Sequence, residues 1–398
     1  MRSRSLRSKT SRVRPRSKYE GLGIDPSKKD VVFLERIIDS VFPKSFSAIL
    51  PDVSKPGTGI VLHVDGAGSK PVLAYLNWKV SGDASYFGGL AQDVVAMNVD
   101  DVVTVGARPI ALADYVSLNR FHLDGGVLLR SLSLGFRNCL DLLRRNEMPV
   151  MFAGGETADL PDQVETFDIA GTVLGEVGLA EAITGRTISP GDIIVGLASG
   201  GQSRYERRSN SGIMCNGITL ARHHLLSRRY NKLYPETYRS SGRRYAGKYE
   251  ALDHLDEIGM SVGEALTSPS RIFAPIVSKM LQRCGDGVKA LVHNTGGGLT
   301  KCLRVGRNVR YIKDSLPVPD PIFLLIKSES GETWRQMCVN FNMGIGFEVI
   351  VKPSSVEEVI RISESFNVGA STIGRCERGG GRNSLTVKSD YGKFTYTS

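Results

Sequence analysis

The sequence predicts a mixed α+β protein built from two domains. The chain has 398 residues, and a domain commonly contains about 100–200 residues. In both halves, short apolar runs typical of strands alternate with longer amphipathic runs typical of helices. A Ser-Pro-Gly-Asp turn at residues 189–192 separates the halves. We therefore expect a basic tail over 1–18, an N-terminal domain over 19–188 and a C-terminal domain over 189–398.

The elements of the first half follow from apolar patterning. Strands are predicted over Gly59–Val64, Pro149–Ala153 and Phe167–Leu174, and a helix over Gly89–Val105. A second helix is predicted over Asp124–Asn146, because apolar residues recur there at helical spacing, namely Leu128, Leu132, Phe136, Leu140 and Leu143.

The second half has the same mixture of elements. Strands are predicted over Asp192–Ala198, Val288–Val292, Gly344–Val351 and Ala370–Cys376. Helices are predicted over Asn216–Tyr230 and Val356–Phe366.

Charge and composition exclude several classes of protein. The net charge of +10 is concentrated in residues 1–18 and 203–249, so the remainder is net acidic. The Arg- and Ser-rich tail should be disordered, and it has the composition of either a transit peptide or a solvated arm. No apolar run approaches the roughly 18 residues of a membrane span. The six cysteines are widely spaced, which argues against a zinc site and favours reduced thiols in the cytoplasm.

Two segments of the first half could bind a metal and a phosphate. Asp65 to Lys70 (DGAGSK) follows a predicted strand, and its glycines allow a ligand to approach the backbone closely. Asp65 offers an oxygen to Mg²⁺ and Lys70 a charge to phosphate. Asp93, Asp100 and Asp101 lie in an apolar helix, where carboxylates are costly to bury without a partner. The alternatives are a polar hairpin tip for the first segment and helix-capping or solvent-facing acids for the second.

Two further segments follow predicted strands. The series Gly154-Gly155-Glu156-Thr157 would place the carboxylate of Glu156 at the end of a sheet. The series His293-Asn294-Thr295-Gly296-Gly297-Gly298 offers consecutive backbone N–H groups, which can form an anion-binding nest. It lacks the Gly-Lys-Ser/Thr of the Walker pattern. A tight turn and a packed core histidine are the respective alternatives.

Taken together, these motifs resemble the phosphoribosylformylglycinamidine cyclo-ligase (aminoimidazole ribonucleotide synthetase) family. The matching segments are Asp65–Lys70, Asp93–Val103, Gly106–Pro109, Gly154–Pro161 and His293–Gly298. Their order and spacing agree along nearly the whole chain after residue 18.

The resemblance implies two α+β domains and a homodimer whose N-terminal domains share a β-barrel. It implies ATP-dependent ring closure of formylglycinamidine ribonucleotide in purine synthesis, with Mg²⁺ as the metal.

The resemblance also implies roles for particular residues. Metal ligands would be Asp65, Asp93, Asp101 and Glu156, and the catalytic set would be Asp65, Lys70, Asp101 and Glu156. Nucleotide or substrate would contact Gly66, Gly68, Ser69, Lys70, Asp93, Gly154, Gly155, Thr157, Asn216, His293, Thr295, Gly296 and Gly297.

The sequence departs from the family pattern in the second domain. An insertion at Gln202–Ile213 interrupts the motif after Ser199, and Met214 stands where the family has a histidine. Because methionine cannot transfer a proton, Tyr205, Glu206 or another group of the insertion could supply that function. The alternatives are another ATP-using member of the superfamily, such as a selenophosphate synthetase, a thiamine-monophosphate kinase or a hydrogenase-maturation dehydratase. A nucleic-acid-binding protein that uses the basic segments is the least expected alternative, because the sequence contains no recognisable nucleic-acid-binding module.

Overall fold

The computed structural model describes residues 17–25, 29–238 and 244–398. The predicted disordered tail therefore falls mainly outside the described residues. Its last residue, Lys18, contacts the C-terminal half, where its backbone N–H donates to the Glu332 carboxylate at 3.1 Å and its ammonium donates to the Ser330 carbonyl.

The first half contains a five-stranded sheet in the order β1-β2-β5-β3-β4. Only the β3–β4 pair is parallel. The strands are β1 (Leu50–Pro51), β2 (Thr58–Gly66), β3 (Arg108–Leu118), β4 (Met151–Asp159) and β5 (Phe167–Gly178).

Helices cover one face of this sheet. They are α2 (Lys70–Ser81), α3 (Ser85–Val103) and α4 (Gly125–Arg145), whereas the short helix α1 (Val32–Glu35) precedes β1. Helix α3 packs against β2 and β5, and α4 packs on α3. Helix α4 begins where the Asp124 carboxylate accepts from the N–H groups of Gly126 and Val127, which is an ordinary N-cap.

The opposite face of the sheet carries exposed apolar side chains. In register, Leu62, Leu174, Ala111 and Met151 form one row across β2, β5, β3 and β4. Leu62 and Met151 are about 60% exposed, and Val64 beside them is 68% exposed. No described helix covers this face, which we call the outer face.

The second half is built on a seven-stranded sheet in the order β11-β13-β6-β14-β12-β15-β16. Its strands are β6 (Ile193–Ala198), β11 (Val288–His293), β12 (Val309–Lys313), β13 (Ile345–Val351), β14 (Ala370–Arg378), β15 (Ser384–Ser389) and β16 (Gly392–Thr397). Two small ribbons pair β7 (Gly200–Gly201) with β8 (Asn210–Ser211) and β9 (His254–Leu255) with β10 (Met260–Ser261).

Seven helices complete the second half. They are α5 (Ile218–Leu225), α6 (Tyr230–Leu233), α7 (Val262–Thr267), α8 (Ala274–Cys284), α9 (Pro321–Ser330), α10 (Trp334–Asn340) and α11 (Val356–Ser365). Helix α8 also contacts α3 of the first half. One buried apolar cluster therefore contains side chains from both halves, including Val94, Phe273 and Phe347.

The structure confirms the mixed two-domain architecture and corrects two elements. The strand predicted to end before Gly154 continues as β4 to Asp159, so Glu156 lies within a strand. The helix predicted over Asn216–Tyr230 ends at Leu225, because Leu226 is extended and bridges to Tyr249. In the described part of the chain, no helix has the length and apolar character needed to cross a membrane.

Candidate nucleotide and metal site

The Gly66–Ser69 loop connects β2 to α2 and lies against the second half of the chain. Gly68 has a positive φ of 61°, and a Cβ there would lie 3.2 Å from the Cys215 carbonyl oxygen. The Ser69 and Thr219 hydroxyls are 2.9 Å apart. The loop therefore lies at the junction between the two domains, which we call the cleft.

Lys70 forms a fully buried ion pair with Asp93. The Lys70 ammonium donates to Asp93 Oδ1 at 2.8 Å and to the Ser268 carbonyl at 2.6 Å, and both paired side chains have no solvent exposure. Asp93 Oδ1 also accepts from the N–H and the hydroxyl of Ser270 at 2.8 and 2.7 Å. In this structure, the two residues join α2 and α3 to the second domain.

Asp100 caps a helix of the other domain. Its carboxylate accepts from the N–H groups of Phe273 and Ala274 at 2.9 and 2.7 Å, at the start of α8. A carboxylate is stabilised at a helix N-terminus by the free N–H groups and the helix dipole. Burial nevertheless raises the pKa of Asp100 to about 7, against the lowering effect of His293 and of these two N–H groups. The capping alternative is therefore observed for Asp100.

Asp101 lies between two histidines. Its Oδ1 is 2.7 Å from His293 Nδ1, and its Oδ2 is 3.1 Å from His63 Nε2. Burial alone would raise the pKa of Asp101, but the hydrogen bonds from His293 and His63 outweigh it and lower that pKa. The other nitrogen of His63 faces the Asn98 side-chain oxygen at 3.1 Å.

The orientation of Asn98 fixes the charge of His63. The Asn98 Nδ2 donates to two backbone carbonyls, so its oxygen must face the imidazole. Both nitrogens of His63 then donate, which describes an imidazolium. Burial opposes that charge, but the hydrogen bonds to Asp101 and Asn98 outweigh burial and raise the pKa of His63.

Asp65 and Glu156 are exposed but lie on opposite faces of the first sheet. The row that faces α3 consists of Asp65, Gly171, Asp114 and Gly155, whereas the adjacent row on the outer face consists of Gly66, Ala170, Tyr115 and Glu156. Three strand spacings, about 14 Å, separate β2 from β4. One chain therefore does not bring Asp65 and Glu156 together, and Thr157 and Gly154 lie on the same exposed edge strand as Glu156.

Two glycine loops of the second domain meet at Phe341. A Cβ on Gly217 would collide with the Phe341 ring, and a Cβ on Gly298 would collide with its carbonyl oxygen. Gly297 and Gly298 have positive φ values of 105° and 51°. Thr295, Gly296 and Gly297 therefore form a tight turn, and the buried Thr295 hydroxyl accepts from Lys301 at 2.9 Å. Asn216 lies next to Gly217, and its Nδ2 is buried without a partner among the described residues.

The insertion at 202–213 is organised by Arg271. This fully buried guanidinium donates to both Glu206 oxygens at 3.0 and 2.7 Å. It also donates to the carbonyl of Ala198 and to those of Gly200 and Gly201, which form β7. The Tyr205 hydroxyl donates to the Ile272 carbonyl at 2.7 Å. Tyr205 and Glu206 are thus both hydrogen-bonded to the 271–272 segment outside the insertion, and Met214 is buried.

Sequence reasoning missed three charged residues near the cleft. His63 is two positions before Asp65 on the same face of β2, so the strand period could have identified it. No local sequence pattern identifies Arg271, because its hydrogen-bond partners lie about 65–70 positions away along the chain. Asp320 lies against Gly200, Gly212 and Gly344, and burial raises its pKa to about 6 despite Arg271.

The donor set fits Mg²⁺ held jointly with a nucleotide. No group of three or more His, Cys, Asp or Glu side chains gathers into a metal site among the residues that the structure describes. Mg²⁺ commonly uses only one or two carboxylates together with substrate phosphates. Asp65 meets that requirement because it is exposed at the cleft, whereas Asp93 and Asp101 already have cationic partners.

Comparison with known families identifies the family of the chain. Residues 47–177 match the family described as AIR synthase related protein, N-terminal domain, and residues 189–386 match the corresponding C-terminal domain. The chain belongs to the AIR synthase family. It is 33% identical over 370 residues to the phosphoribosylformylglycinamidine cyclo-ligase of Methanocaldococcus jannaschii, covering 90% of this chain and 91% of that protein. It is 34% identical over 368 residues to that of Methanococcus vannielii, covering 90% and 92%.

Several solved structures share the fold of this protein. A HypE–HypF complex matches with a TM-score of 0.53 at 15% identity, covering 92% of this chain and 97% of that chain. Hydrogenase maturation protein HypE in complex with ATP matches with a TM-score of 0.51 at 18% identity, covering 96% of each. AaThiL complexed with AMPPCP and TMP matches with a TM-score of 0.52 at 13% identity, covering 92% and 95%. These similarities support the two-domain fold.

Proposed function

We propose that the protein is a phosphoribosylformylglycinamidine cyclo-ligase, which closes the imidazole ring of aminoimidazole ribonucleotide with ATP. The observation that carries the proposal is the similarity to curated cyclo-ligases at 33–34% identity along 90% of the chain. The predicted binding loops Gly66–Ser69, Asn216–Gly217 and Thr295–Gly298 line the same interdomain region. Gly68 lies against the Cys215 carbonyl oxygen, and Cys215 is two residues before Gly217. Gly217 and Gly298 both lie against Phe341.

The reaction needs activation of an unreactive oxygen. The formamide oxygen attacks the γ-phosphorus of ATP, and ADP leaves. The amidine nitrogen then attacks the activated carbon, and inorganic phosphate leaves with the original oxygen. Phosphoryl transfer of this kind depends mainly on positioning and on charge stabilisation.

The residues of the cleft fit these tasks. Asp65 would hold Mg²⁺, which neutralises triphosphate charge when bound. The backbone N–H groups of Gly296 and Gly297 would bind a phosphate, since those of Thr295 and Gly298 donate to the His293 and Thr295 carbonyls at 2.8 Å. Asp101 and His63 would fix the electrostatics beside Asp65 and would not contact the reacting atoms, since each already has its hydrogen-bond partners.

The outer face supports a homodimer through the N-terminal sheets. The exposed row of Leu62, Leu174, Ala111 and Met151 spans four strands. Contiguous exposed apolar surface of this kind commonly marks an interface. A second copy packed on this face would complete a barrel and place Glu156 within the interface. This explains how Glu156 could act although it lies far from Asp65 in one chain. A Leu62→Glu/Leu174→Glu variant should sediment as a monomer, and an unchanged dimer would contradict the assignment of this face.

Product analysis tests the proposed activity. Purified protein is incubated with ATP, Mg²⁺ and formylglycinamidine ribonucleotide, and the aminoimidazole product is measured together with ADP. Equal amounts of both are expected. ADP without that product would favour another ATP-using member of the superfamily. A cytoplasmic location remains part of the proposal, because purine synthesis supplies soluble metabolites to such an enzyme.

A further inference from the structure

A fully buried ion pair lies beneath the glycine turn of the second domain. Lys313, the last residue of β12, donates to Glu348 Oε1 on β13 at 2.5 Å, and neither side chain has any solvent exposure. Burial alone would lower the pKa of Lys313, but Cys302 and the Glu348 carboxylate outweigh it and raise that pKa. The lysine is therefore charged in the interior.

The pair holds the turn at both of its ends. At the entry, Asn294 Nδ2 donates to Glu348 Oε1 at 2.7 Å. At the exit, the Lys313 ammonium donates to the Leu299 carbonyl at 2.7 Å. The four residues between these anchors, Thr295–Gly298, include Gly296 and Gly297, whose N–H groups would bind phosphate. The two anchors are joined through a single ion pair.

A buried pair is a costly means of stabilising a core. Removing two charges from water carries a desolvation penalty, and apolar residues of similar volume often stabilise a fold equally well. Stability alone therefore does not account for Lys313 and Glu348. Their hydrogen bonds to the two ends of one loop offer a specific use for the charges.

We propose that Lys313 and Glu348 are positioning residues that preorganise the Asn294–Leu299 turn for a phosphate-bearing substrate. This inference rests on the proposed function only for the identity of that substrate. The pair does not contact the substrate, and it acts by fixing the backbone N–H groups of the turn. A preformed anion nest avoids the cost of ordering the loop when the ligand binds.

The test removes both charges together, so that no single buried charge remains. In Lys313→Met/Glu348→Leu, Asn294 Nδ2 keeps its bond to the Ile345 carbonyl at 2.9 Å. The melting temperature should stay within about 3 °C of the wild type, because apolar replacement of a buried pair is often neutral. Hydrogen exchange of the amides at 294–300 should become about tenfold faster. The KM for ATP or for formylglycinamidine ribonucleotide should rise about tenfold with kcat within about twofold, since ground-state binding is lost.

Two further variants sharpen the result. Lys313→Met/Glu348→Gln keeps an acceptor for Asn294, so its KM should lie between that of the wild type and that of the apolar double variant. The matched control is Lys352→Met/Asp286→Asn, which removes a solvent-exposed pair of 3.4 Å in the same domain and should change nothing. Unchanged exchange at 294–300 in the apolar double variant would overturn the proposal. A loss of kcat and melting temperature at constant KM would also overturn it, since that pattern describes a core defect. Wild-type protein that forms no product would contradict the proposed function alone, because the exchange measurement does not depend on turnover.

Discussion

Replacing Lys70 by methionine distinguishes a role in binding phosphate from a role in joining the two domains. The sequence predicts a contact with phosphate, whereas the structure buries the ammonium 2.8 Å from Asp93. Methionine preserves most of the side-chain volume but leaves the Asp93 carboxylate without its cation. Breaking a buried pair by removing one partner costs about 3–5 kcal/mol. Asp93 keeps the two hydrogen bonds from Ser270, so we expect the lower end, about 3 kcal/mol.

The assay combines urea unfolding with calorimetric titration of ATP in the presence of Mg²⁺. The Lys70→Met variant should unfold at a lower urea concentration and retain its ATP affinity within about threefold, because the ammonium is fully buried in its pair with Asp93. Lys70→Met/Asp93→Leu should recover most of the lost stability, since no buried charge is left unpaired. Lys352→Met, which breaks an exposed pair, should cost no more than about 0.5 kcal/mol.

The opposite result would refute this reasoning. If Lys70→Met unfolds like the wild type and its ATP affinity falls more than about tenfold, a change of about 1.4 kcal/mol, the ammonium contacts phosphate. The pair with Asp93 would then open on nucleotide binding. A fall in both quantities would also contradict a purely interdomain role.

Three other substitutions test separate parts of the structure. Asp65→Asn should abolish Mg²⁺-dependent phosphate release and change unfolding by no more than about 0.5 kcal/mol, because Asp65 is exposed. Asp320→Asn should remove the loss of folding stability that ionisation of Asp320 causes in the wild type. The folded-state pKa of about 6 exceeds the ordinary 3.8, so ionisation destabilises the fold as the pH rises from 4 to 7. In urea unfolding, the variant should gain about 2 kcal/mol relative to wild type at pH 7.5 and nothing at pH 4, and an equal gain at both would contradict this. Gly298→Ala should cost at least about 2 kcal/mol, because its φ is 51° and its Cβ would collide with Phe341, whereas Gly380→Ala has open space and should be tolerated.

Apolar periodicity predicts a helix or strand well when only one face of that element is buried. The helix predicted over Asp124–Asn146 is observed as Gly125–Arg145, with Asp124 as its cap. Its apolar residues face α3, so helical spacing and packing agree. Strand β4 was predicted too short because it is exposed along its whole length, and its Gly-Gly pair resembles a turn. Composition cannot distinguish an exposed edge strand from a loop.

The motifs identify the acids of α3 but not the groups that pair with them. The apolar pattern predicts that the three acids of α3 are costly to bury without partners. All three are in fact buried. Their observed partners come from residues that are distant in sequence, such as Ser270 for Asp93 and His293 for Asp101. Only the packing of α3 on the second domain brings these groups together. Side-chain pairing across a domain interface therefore lies beyond what spacing within one segment can predict.

The proposed chemistry is tested most directly by following the formyl oxygen. Formylglycinamidine ribonucleotide labelled with oxygen-18 at that position is converted with ATP and Mg²⁺, and the inorganic phosphate is analysed by mass spectrometry. Phosphorylation of the oxygen followed by ring closure predicts one labelled oxygen in each phosphate formed. Unlabelled phosphate, with the label released to water, would contradict the account.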